Sequence, residues 1–442
     1  MLLVGNGLLI TRDEKNTIIE DGCLAINDQM IIETGTTAYL KAKYKEAKFL
    51  DADKKLIMPG LINTHMHFYS TFARGMIQKD APPANFEEIV TRLWWRLDKA
   101  LTLEDVYYSV MVPMIECIKN GVTTAFDHHA SPNSAAGSLF KIAEATKKAG
   151  LRSCLCYEVS DRDGENITEE GINENIDFIN FCKKEKDPML KAMFGLHASF
   201  TLSDRTLEKC VSRNADSGAG FHIHAAEGME DLNDARARYG MGVIERLHER
   251  ELLGEKSIAV HCIHISEKEM RILKDTETNV VHNPESNMGN AVGVSPVLTM
   301  FQKGIVLGLG TDGYTCDMFE SLKAANCLHK HANNNPSAAW GEPPYMLFEN
   351  NARIAEKYFE KSLGRLVKGA LADIIVVDYN PPTRLNSDNL NSHILFGVSG
   401  RAVDTTIING KIVMENRRLT LLDEEEVCAK SREQADKVWE RF

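Results

Sequence analysis

The stretch Pro59-Gly60-Leu61-Ile62-Asn63-Thr64-His65-Met66-His67 is an apolar run that ends in two histidines two residues apart. On a β-strand alternate side chains share a face, so the side chains of His65 and His67 point the same way. Two neutral imidazoles that converge at the end of a buried strand form half of a metal site. Taken alone, such a pair more often marks two polar residues on a half-exposed strand, so its meaning depends on the rest of the chain.

Four later apolar runs also end in histidine or aspartate. They are Phe221-His222-Ile223-His224-Ala225-Ala226-Glu227, Ala259-Val260-His261-Cys262, Val280-Val281-His282-Asn283 and Leu307-Gly308-Leu309-Gly310-Thr311-Asp312-Gly313. Polar ligands at the ends of successive parallel strands are typical of the active site of a barrel. The joint pattern therefore favours a functional site over five unrelated strands.

Between residues 56 and 365, short strand-like runs alternate with longer helix-like segments, which predicts parallel βα units. Three further strands are predicted at 122–127, 153–159 and 190–198, which makes eight in all. Eight such units predict an α/β fold of the (β/α)8 TIM-barrel type. The alternative, an open doubly wound sheet, would use a glycine-rich phosphate loop, and no G-x-G-x-x-G follows the first strand.

The two ends of the chain have a different character, with short strands broken by turns. Neither end has enough strands to fold alone, so residues 1–55 and 366–423 are predicted to form one small discontinuous β-sandwich domain. The barrel then takes residues 56–365, and residues 424–442 form a charged C-terminal surface helix.

Composition narrows the class of partner. The chain has 442 residues, 43% of them hydrophobic, and a formal net charge of -12, which argues against nucleic acid and anionic membranes as partners. The first residues lack the basic region and cleavage site of a signal peptide, and no apolar run is long enough to span a bilayer. The ten cysteines are scattered without a C-x-x-C pair. We therefore expect a cytoplasmic protein that acts on a small molecule.

The strand-end residues suggest hydrolytic chemistry. A catalytic Zn²⁺ takes histidine nitrogens and carboxylate oxygens and keeps one position for water. His65, His67, one histidine of the 222/224 pair and Asp312 would supply that set. Glu227 and the Asp312 carboxylate could move protons, and His261 could orient the water or polarise the substrate.

The ordered set of motifs resembles the amidohydrolase superfamily, within the branch of cytosine, guanine, S-adenosylhomocysteine and methylthioadenosine deaminases and triazine chlorohydrolases. The motifs are P-G-x-x-x-x-H-x-H, H-x-x-E, H-C-x-H, H-N-P-x-S-N, G-T-D-G and a closing G-x-x-A-D, and they cover nearly the whole chain. The resemblance implies that His224 is the third histidine ligand and that Glu227 is the proton shuttle. It also implies that His261 is the strand-six histidine and that Asp312 binds the metal, and it leaves His222 without an assigned role.

The resemblance further implies which residues touch substrate. His197, at the end of the fourth strand, matches a substrate-contacting position in the family. The long connection of residues 70–101 carries Arg74 and Trp94, and His128 ends the second strand in an Asp127-His128-His129 run; these three are further candidates. That connection lacks the D-D-L-x-L-x-x-W-L stretch of related deaminases, which leaves the substrate open.

The predicted function is deamination of an amino-substituted N-heterocycle, a purine, pyrimidine or related ring, with release of ammonia. One divalent ion is expected, Zn²⁺ or alternatively Fe²⁺, because the fourth strand ends Gly195-Leu196-His197-Ala198 without the lysine that bridges two metals in binuclear relatives. Hydrolysis of a cyclic amide or ureide, dechlorination, or a catalytically silent scaffold of the same fold are the alternatives. Dimers are common in the family, so a homodimer is compatible with the resemblance.

Overall fold

The structure is a computed structural model that describes residues 1–78 and 80–442, so Lys79 of the first long connection lies outside the described residues. The strands are β1 Leu2–Ile10, β2 Ile18–Asn27, β3 Met30–Thr36, β4 Lys48–Asp51, β5 Leu56–Pro59, β6 Leu61–Met66, β7 Val122–His129, β8 Arg152–Tyr157, β9 Leu190–Ala192, β10 Phe194–Ala198, β11 Phe221–Ala225, β12 Ile258–His261, β13 Asn279–His282, β14 Leu307–Leu309, β15 Ile374–Val377, β16 Val403–Ile408, β17 Lys411–Glu415 and β18 Arg418–Leu419. The α-helices are α1 Thr37–Lys43, α2 Phe86–Ile89, α3 Trp95–Ala100, α4 Leu103–Lys119, α5 Ser138–Ala149, α6 Glu165–Glu185, α7 Asp204–Asn214, α8 Met229–Tyr239, α9 Val243–Glu249, α10 Glu267–Asp275, α11 Pro284–Gly289, α12 Val297–Gln302, α13 Met318–Ala332, α14 Glu342–Tyr345, α15 Asn351–Phe359, α16 Leu390–Gly397 and α17 Glu424–Arg441.

Two parallel sheets carry the predicted strand-end residues. Their orders are β6-β7-β8-β9 and β10-β11-β12-β13-β14. Helices separate successive strands, and β6, β7, β11, β12, β13 and β14 are buried along their whole length, which explains their continuous apolar runs. The fourth predicted strand is divided into β9 and β10 at Met193. The N–H of Met193 donates to the carbonyl oxygen of Leu155 at 3.0 Å, whereas the N–H of Phe194 donates to the carbonyl oxygen of Gly220 at 3.0 Å.

Backbone contacts join the two sheets at both edges. Val159 bridges Leu196 in parallel, and Met66 bridges Asp312 in parallel. The second contact brings the carboxyl ends of β6 and β14 together. Gly310 permits this approach, since a Cβ there would lie 2.4 Å from Asn283 Oδ1 and 2.8 Å from the His65 carbonyl oxygen.

The two ends of the chain share one mixed sheet of nine strands, ordered β18-β17-β16-β15-β5-β1-β2-β3, with β4 paired to β1. Hydrogen bonds therefore link the strands of the two segments predicted to form a small β-sandwich domain in one sheet. Strand β5 pairs with β1 on one side and with β15 on the other. The terminal sheet therefore continues to Pro59, directly before the first ligand-bearing strand.

The C-terminal helix α17 lies against α4 and the first connection. Trp439 Nε1 donates to the carbonyl oxygen of Phe72 at 2.7 Å, and Arg441 pairs with the buried Asp105. The charged helix predicted for residues 424–442 thus holds the connection that covers the site. Within the described residues, none of the helices has the length and apolar character required to cross a membrane.

Candidate active site and metal centre

Four predicted ligand side chains meet at the carboxyl ends of β6, β11 and β14. His67 Nε2 lies 3.1 Å from His224 Nε2 and 3.2 Å from Asp312 Oδ1. His65 Nε2 lies 3.9 Å from the same carboxylate oxygen. The ligand atoms of His65, His67 and His224 all lie within 4.8 Å of one another. The residue types and their convergence match a site for a divalent metal ion.

The hydrogen bonds made by the outer ring nitrogens fix how these histidines are protonated. His67 Nδ1 lies 2.6 Å from the carbonyl oxygen of His128, and His224 Nδ1 lies 2.9 Å from that of His197. A carbonyl only accepts, so each Nδ1 carries the hydrogen, and in a neutral ring each Nε2 presents a lone pair. Two lone pairs 3.1 Å apart repel unless a cation lies between them.

Burial keeps these rings neutral. It lowers the pKa of His67 and moves the pKa values of His65 and His224 well below the usual value. The Nε2 atoms of His65 and His261 are buried without a hydrogen-bond partner among the described residues. A buried polar atom without a partner is costly, whereas a metal ion would satisfy it. The residues therefore fit a divalent metal.

His222 supports the ligands rather than joining them. Its Nε2 lies 2.9 Å from Nδ1 of His65, and the ring is buried on the same strand as His224. This contact occupies the outer nitrogen of His65 and orients its Nε2 toward the cluster. Contacts of this kind fix the ring orientation of metal ligands.

Glu227 and His261 lie beside the ligand cluster. His261 Nε2 is 3.5 Å from Glu227 Oε2 and 3.7 Å from Asp312 Oδ2. Burial first, and then the charge of Asp312, raises the pKa of Glu227 well above its usual value. Asn290 Nδ2 lies 3.5 Å from Glu227 Oε1, and Ser286 Oγ donates to Asp312 Oδ2 at 2.6 Å. A carboxyl group with a raised pKa next to a metal-type cluster is suited to take and return a proton.

Backbone strain accompanies the strand ends. Ala226, His261 and Asp312 have φ angles of 50°, 69° and 56°, in the left-handed region that residues with a Cβ seldom adopt. Each such conformation costs about 1–3 kcal/mol and persists only where the surroundings impose it. Strain at three neighbouring strand ends is typical of a functional site.

A chain of buried side chains supports His261 on the Nδ1 side of its ring, opposite Glu227 and Asp312. Its Nδ1 lies 2.8 Å from Asn287 Oδ1, and Asn287 Nδ2 lies 3.5 Å from His282 Nδ1. His282 Nε2 in turn lies 3.1 Å from His329 Nε2 on α13. His282 and His329 thus support the site from the core and do not face the cavity.

A cavity opens above the cluster. Its floor is formed by His67, His224, Glu227 and Asp312. The other lining residues are Tyr69, Ser70, Phe86, Val90, Trp94, Trp95, Asp98, Glu158, His197, Ala198, Phe200, Gly228, Glu230, Asp231, Ser286, Asn290, Gly313 and Tyr314. Two of the four predicted substrate-binding residues, His197 and Trp94, are therefore at the cavity.

The cavity wall above His197 is aromatic. Trp95 packs on Phe200 with ring centroids 6.4 Å apart and nearly parallel planes, and its edge meets His197 at 6.0 Å. Trp95 follows Trp94 on the helical segment that runs from α2 to α3. Flat apolar faces beside a polar floor suit a planar ring.

The structure corrects two predicted substrate contacts. The Arg74 side chain is 59% exposed and forms a two-pronged ion pair with Glu116, so its guanidinium is held at the surface away from the cavity. His128 lies beneath the ligands, fully buried, with Nδ1 3.2 Å from Glu158 Oε2 and Nε2 3.1 Å from the His222 carbonyl oxygen. His128 is therefore placed to hold neighbours in position and has no access to substrate.

Glu158 is the main site residue that the sequence prediction missed. It directly follows β8 and lines the cavity between His128 and His197. Burial opposes its charge, but His197 and the hydrogen bond from His128 outweigh that effect and lower the pKa of Glu158 to about 2. The rule that located the other residues, a polar side chain at the end of an apolar strand, would also have found Glu158.

Comparison with known proteins gives several full-length relatives. A 5'-deoxyadenosine deaminase from Methanosarcina acetivorans is 32% identical over 441 residues, covering 99% of this chain and 98% of the relative. A 5-methylthioadenosine/S-adenosylhomocysteine deaminase from Pelotomaculum thermopropionicum is 30% identical over 438 residues, with 98% of both chains covered.

Solved structures match over the same length. A zinc-bound adenosine deaminase from Xanthomonas campestris superposes with a TM-score of 0.88 at 22% identity, covering 99% of this chain and 98% of the other. A zinc complex of atrazine chlorohydrolase from Arthrobacter aurescens TC1 gives 0.81 at 21% identity, covering 98% and 100%. At this identity the match concerns the fold, and together with the family it implies a TIM barrel.

The Amidohydrolase family matches residues 56–413, from β5 to the C-terminal part of the terminal sheet. This range contains every residue of the metal-type cluster as well as Glu227 and His261. The resemblance inferred from the motifs is thereby confirmed. The chain is a hydrolase of carbon–nitrogen bonds and belongs to the amidohydrolase family.

Proposed function

We propose that this protein is a metal-dependent deaminase that replaces the amino group of a purine-type ring with a hydroxyl group and releases ammonia. The observation that carries the proposal is the convergence of histidine lone pairs and Asp312, beside the high-pKa Glu227, on the floor of an aromatic cavity. The two full-length relatives, both named as deaminases of adenine nucleosides, support the same class of substrate.

In this proposal His65, His67, His224 and Asp312 hold one divalent ion, with Zn²⁺ favoured by the zinc-bound structural neighbours and Fe²⁺ as the alternative. When bound, the ion supplies Lewis-acid activation of a water molecule at neutral pH. A second ion would need ligands around Glu158 and His197.

The protein's own residues manage the protons. Glu227 takes one proton from the attacking water as the new C–O bond forms, and delivers it at Oε to the ring nitrogen. It then passes the second water proton from the added hydroxyl group to the departing amine as the C–N bond breaks, which leaves a ring carbonyl and a protonated ring nitrogen. His261, held by Asn287, presents Nε2 between Glu227 and Asp312 and orients the attacking oxygen. The net reaction consumes one water molecule and releases one ammonia molecule, with no oxidation or reduction.

The wall of Trp94, Trp95 and Phe200 would bind the ring by stacking, and His197 would contact its edge. A purine offers the flat π-face that this wall fits and a ring carbon electron-poor enough to accept water. A flexible acyclic amide offers neither property.

We also propose how the chain divides into domains. The two parallel sheets, joined at β8/β10 and β6/β14, would form one closed (β/α)8 barrel over residues 61–365. The nine-stranded sheet would form a β-rich domain from residues 1–59 and 366–423. Helix α17 would then bridge this domain and the barrel connection that it contacts. Active sites of such barrels gather at the carboxyl ends of the strands, where this cluster lies.

The test is a screen for ammonia release by the zinc-loaded protein. The panel contains 5'-deoxyadenosine, methylthioadenosine, adenosine, guanine, cytosine and an aminotriazine, with an acyclic amide as the negative control. We expect turnover of at least one amino-substituted purine. Turnover confined to the acyclic amide, or none at all, contradicts the proposal.

The metal is tested separately. Elemental analysis is expected to give about one divalent ion per chain, and the double substitution His65→Ala with His67→Ala is expected to abolish its binding. Chelation should abolish activity and lower Tm, and added Zn²⁺ should restore both, because a ligand that binds only the folded state stabilises it. Two ions per active chain would contradict the single-ion assignment.

A further inference from the structure

Glu158 presents one carboxylate oxygen to the cavity. Its Oε2 lies 3.2 Å from His128 Nδ1, on the side away from the cavity. Its Oε1 has no hydrogen-bond donor within reach among the described residues, and His197 Nε2, at 3.7 Å, is its nearest charged or ionisable partner. Glu158 is almost fully buried yet lines the cavity, so this oxygen is available to a bound ligand.

The rest of the wall provides no positive side chain. Six acidic side chains line the cavity, those of Asp98, Glu158, Glu227, Glu230, Asp231 and Asp312. None of the lining residues in the described part of the chain is lysine or arginine. The nearby Arg162 lies behind the wall, where it pairs with Asp98 and with Asp163. A metal ion at the floor would offset Asp312, and the lining residues would still offer an anion no lysine or arginine side chain.

We propose that Glu158 is a specificity-determining residue that selects uncharged or cationic ring substrates and rejects those that carry a carboxylate or phosphate group. This inference rests on the proposed function, because the ring is placed by its reacting carbon above the metal cluster. A substituent on the ring then lies among the acidic side chains that line the cavity, which include Glu158 and Asp98. A neutral substituent with an O–H or N–H group can donate to Glu158 Oε1, whereas an anionic one meets like charge.

The consequence separates substrates that share one ring. Adenosine and 2'-deoxyadenosine carry no net charge, while their 5'-monophosphates are anionic. A deaminase that accepted the monophosphates would need a positive group in the cavity wall. Two ligands with the same purine and the same reacting carbon are therefore expected to differ strongly in kcat/KM for this protein.

The first experiment compares these pairs on the zinc-loaded wild-type protein. We expect kcat/KM for adenosine to exceed that for adenosine 5'-monophosphate by about tenfold or more, and kcat/KM for 2'-deoxyadenosine to exceed that for its 5'-monophosphate similarly. Turnover that is equal within each pair overturns the charge selection and leaves the proposed function intact. If no purine is turned over, the proposed function fails, and ligand-induced shifts in Tm still test the inference. Stabilisation by adenosine alone supports it, and equal stabilisation by both ligands, or by neither, overturns it.

The second experiment uses Glu158→Gln, which keeps the shape of the side chain and removes its charge. The preference for the neutral member of each pair is expected to fall about tenfold, because the like charge is gone. The control is Glu185→Gln, at the exposed end of α6, which should leave the preference unchanged. An unchanged preference in a folded, zinc-loaded Glu158→Gln protein overturns the proposal.

Replacement of Glu158 also removes its contact with His128, so a third variant tests the proposal with Glu158 in place. Phe86→Arg keeps Glu158 and adds a positive group to the cavity wall. If the missing counter-ion causes the selection, relative kcat/KM for the anionic ligands should rise about tenfold. If Tm and metal content are normal and the anionic ligands gain nothing, the explanation is wrong.

Discussion

Histidines of the same type play different parts in this site because their ring nitrogens meet different neighbours. His67 and His224 direct Nδ1 to carbonyl oxygens, which leaves Nε2 free to bind a metal. His128 has oxygen atoms at both nitrogens, and His222 uses Nε2 to hold His65. The local hydrogen bonds therefore separate ligand from support.

Glu227→Gln is expected to keep the metal and lose most of the turnover. An amide has nearly the same shape but cannot take and return a proton, and such steps contribute about 10²–10⁴-fold. The measurements are kcat for ammonia release and metal content on the same preparation. Glu230→Gln is the control, because Glu230 also lines the cavity but makes no contact with His261. Loss of the metal from Glu227→Gln would instead make Glu227 a ligand.

At the scale of elements, the helical segment Phe86–Ala100 covers the site. It carries both cavity tryptophans, and Trp95 contacts His197 of β10 and Phe200 of the loop that follows β10. Helix α17 packs beneath it, since Arg96 donates to the carbonyl oxygen of Phe442 at 2.7 Å. Contacts with α17 on one side and with His197 and Phe200 on the other keep the aromatic faces of this segment in place.

Trp95→Leu is expected to raise KM severalfold or more with little change in Tm. Stacking between aromatic groups is worth about 0.5–1.5 kcal/mol beyond the buried area, so its loss weakens binding of the ring. Trp94→Leu serves as the neighbouring comparison, and Trp340→Leu, at an exposed position outside the cavity, is the control. A fall in Tm without a kinetic change at both positions would mean that the tryptophans only pack the cover.

Asp231 on α8 ties two strand-end loops together. Its Oδ2 accepts from the N–H of Ala226 at 2.8 Å, and its Oδ1 accepts from the N–H of Phe200 at 2.9 Å. It is therefore a positioning residue for Glu227, which follows Ala226, and for the aromatic wall.

Asp231→Asn is expected to destabilise the protein by about 1–3 kcal/mol and to lower kcat more than it raises KM. The asparagine amide N–H₂ cannot accept, so one buried backbone N–H loses its partner. Chemical denaturation and steady-state kinetics give the two readouts. Asp234→Asn, one turn further along α8 in a surface pair with Arg238, should cost less than about 1 kcal/mol. Equal effects of the two substitutions would contradict this role for Asp231.

At the scale of the whole molecule, a buried ion pair joins the terminal sheet to the parallel strands. Arg152 on β8 pairs with Asp373, which directly precedes β15, and both side chains are almost fully buried. Asp373 Oδ1 also accepts from the N–H of Asn409 at 2.8 Å. Burial lowers the pKa of Arg152 to about 9.

Asp373→Ala is expected to destabilise the protein by about 3–5 kcal/mol, because it leaves Arg152 buried and unpaired. Tm should fall by several degrees, whereas KM measured well below Tm should stay unchanged, since the pair is remote from the cavity residues. Asp404→Ala is the control: its partly exposed pair with Lys55 at 3.0 Å should contribute no more than about 1 kcal/mol. A similar loss from both substitutions would contradict the prediction.

The sequence by itself determined the family, the parallel strands and the candidate ligands His65, His67, His224 and Asp312. It could do so because buried parallel strands need continuous apolar runs, and ligands must follow such runs at fixed spacing. These are local patterns, readable within a few residues.

Only the tertiary structure decided which polar residues face the cavity. Arg74 and His128 are polar residues in segments that adjoin the site. Glu116 holds Arg74 at the surface, however, and Glu158 and His222 hold His128 beneath the ligands. Glu158 reached the cavity because β8 ends between two histidine-bearing strands. Contacts between residues distant in sequence set these orientations, and no periodicity along one segment encodes them.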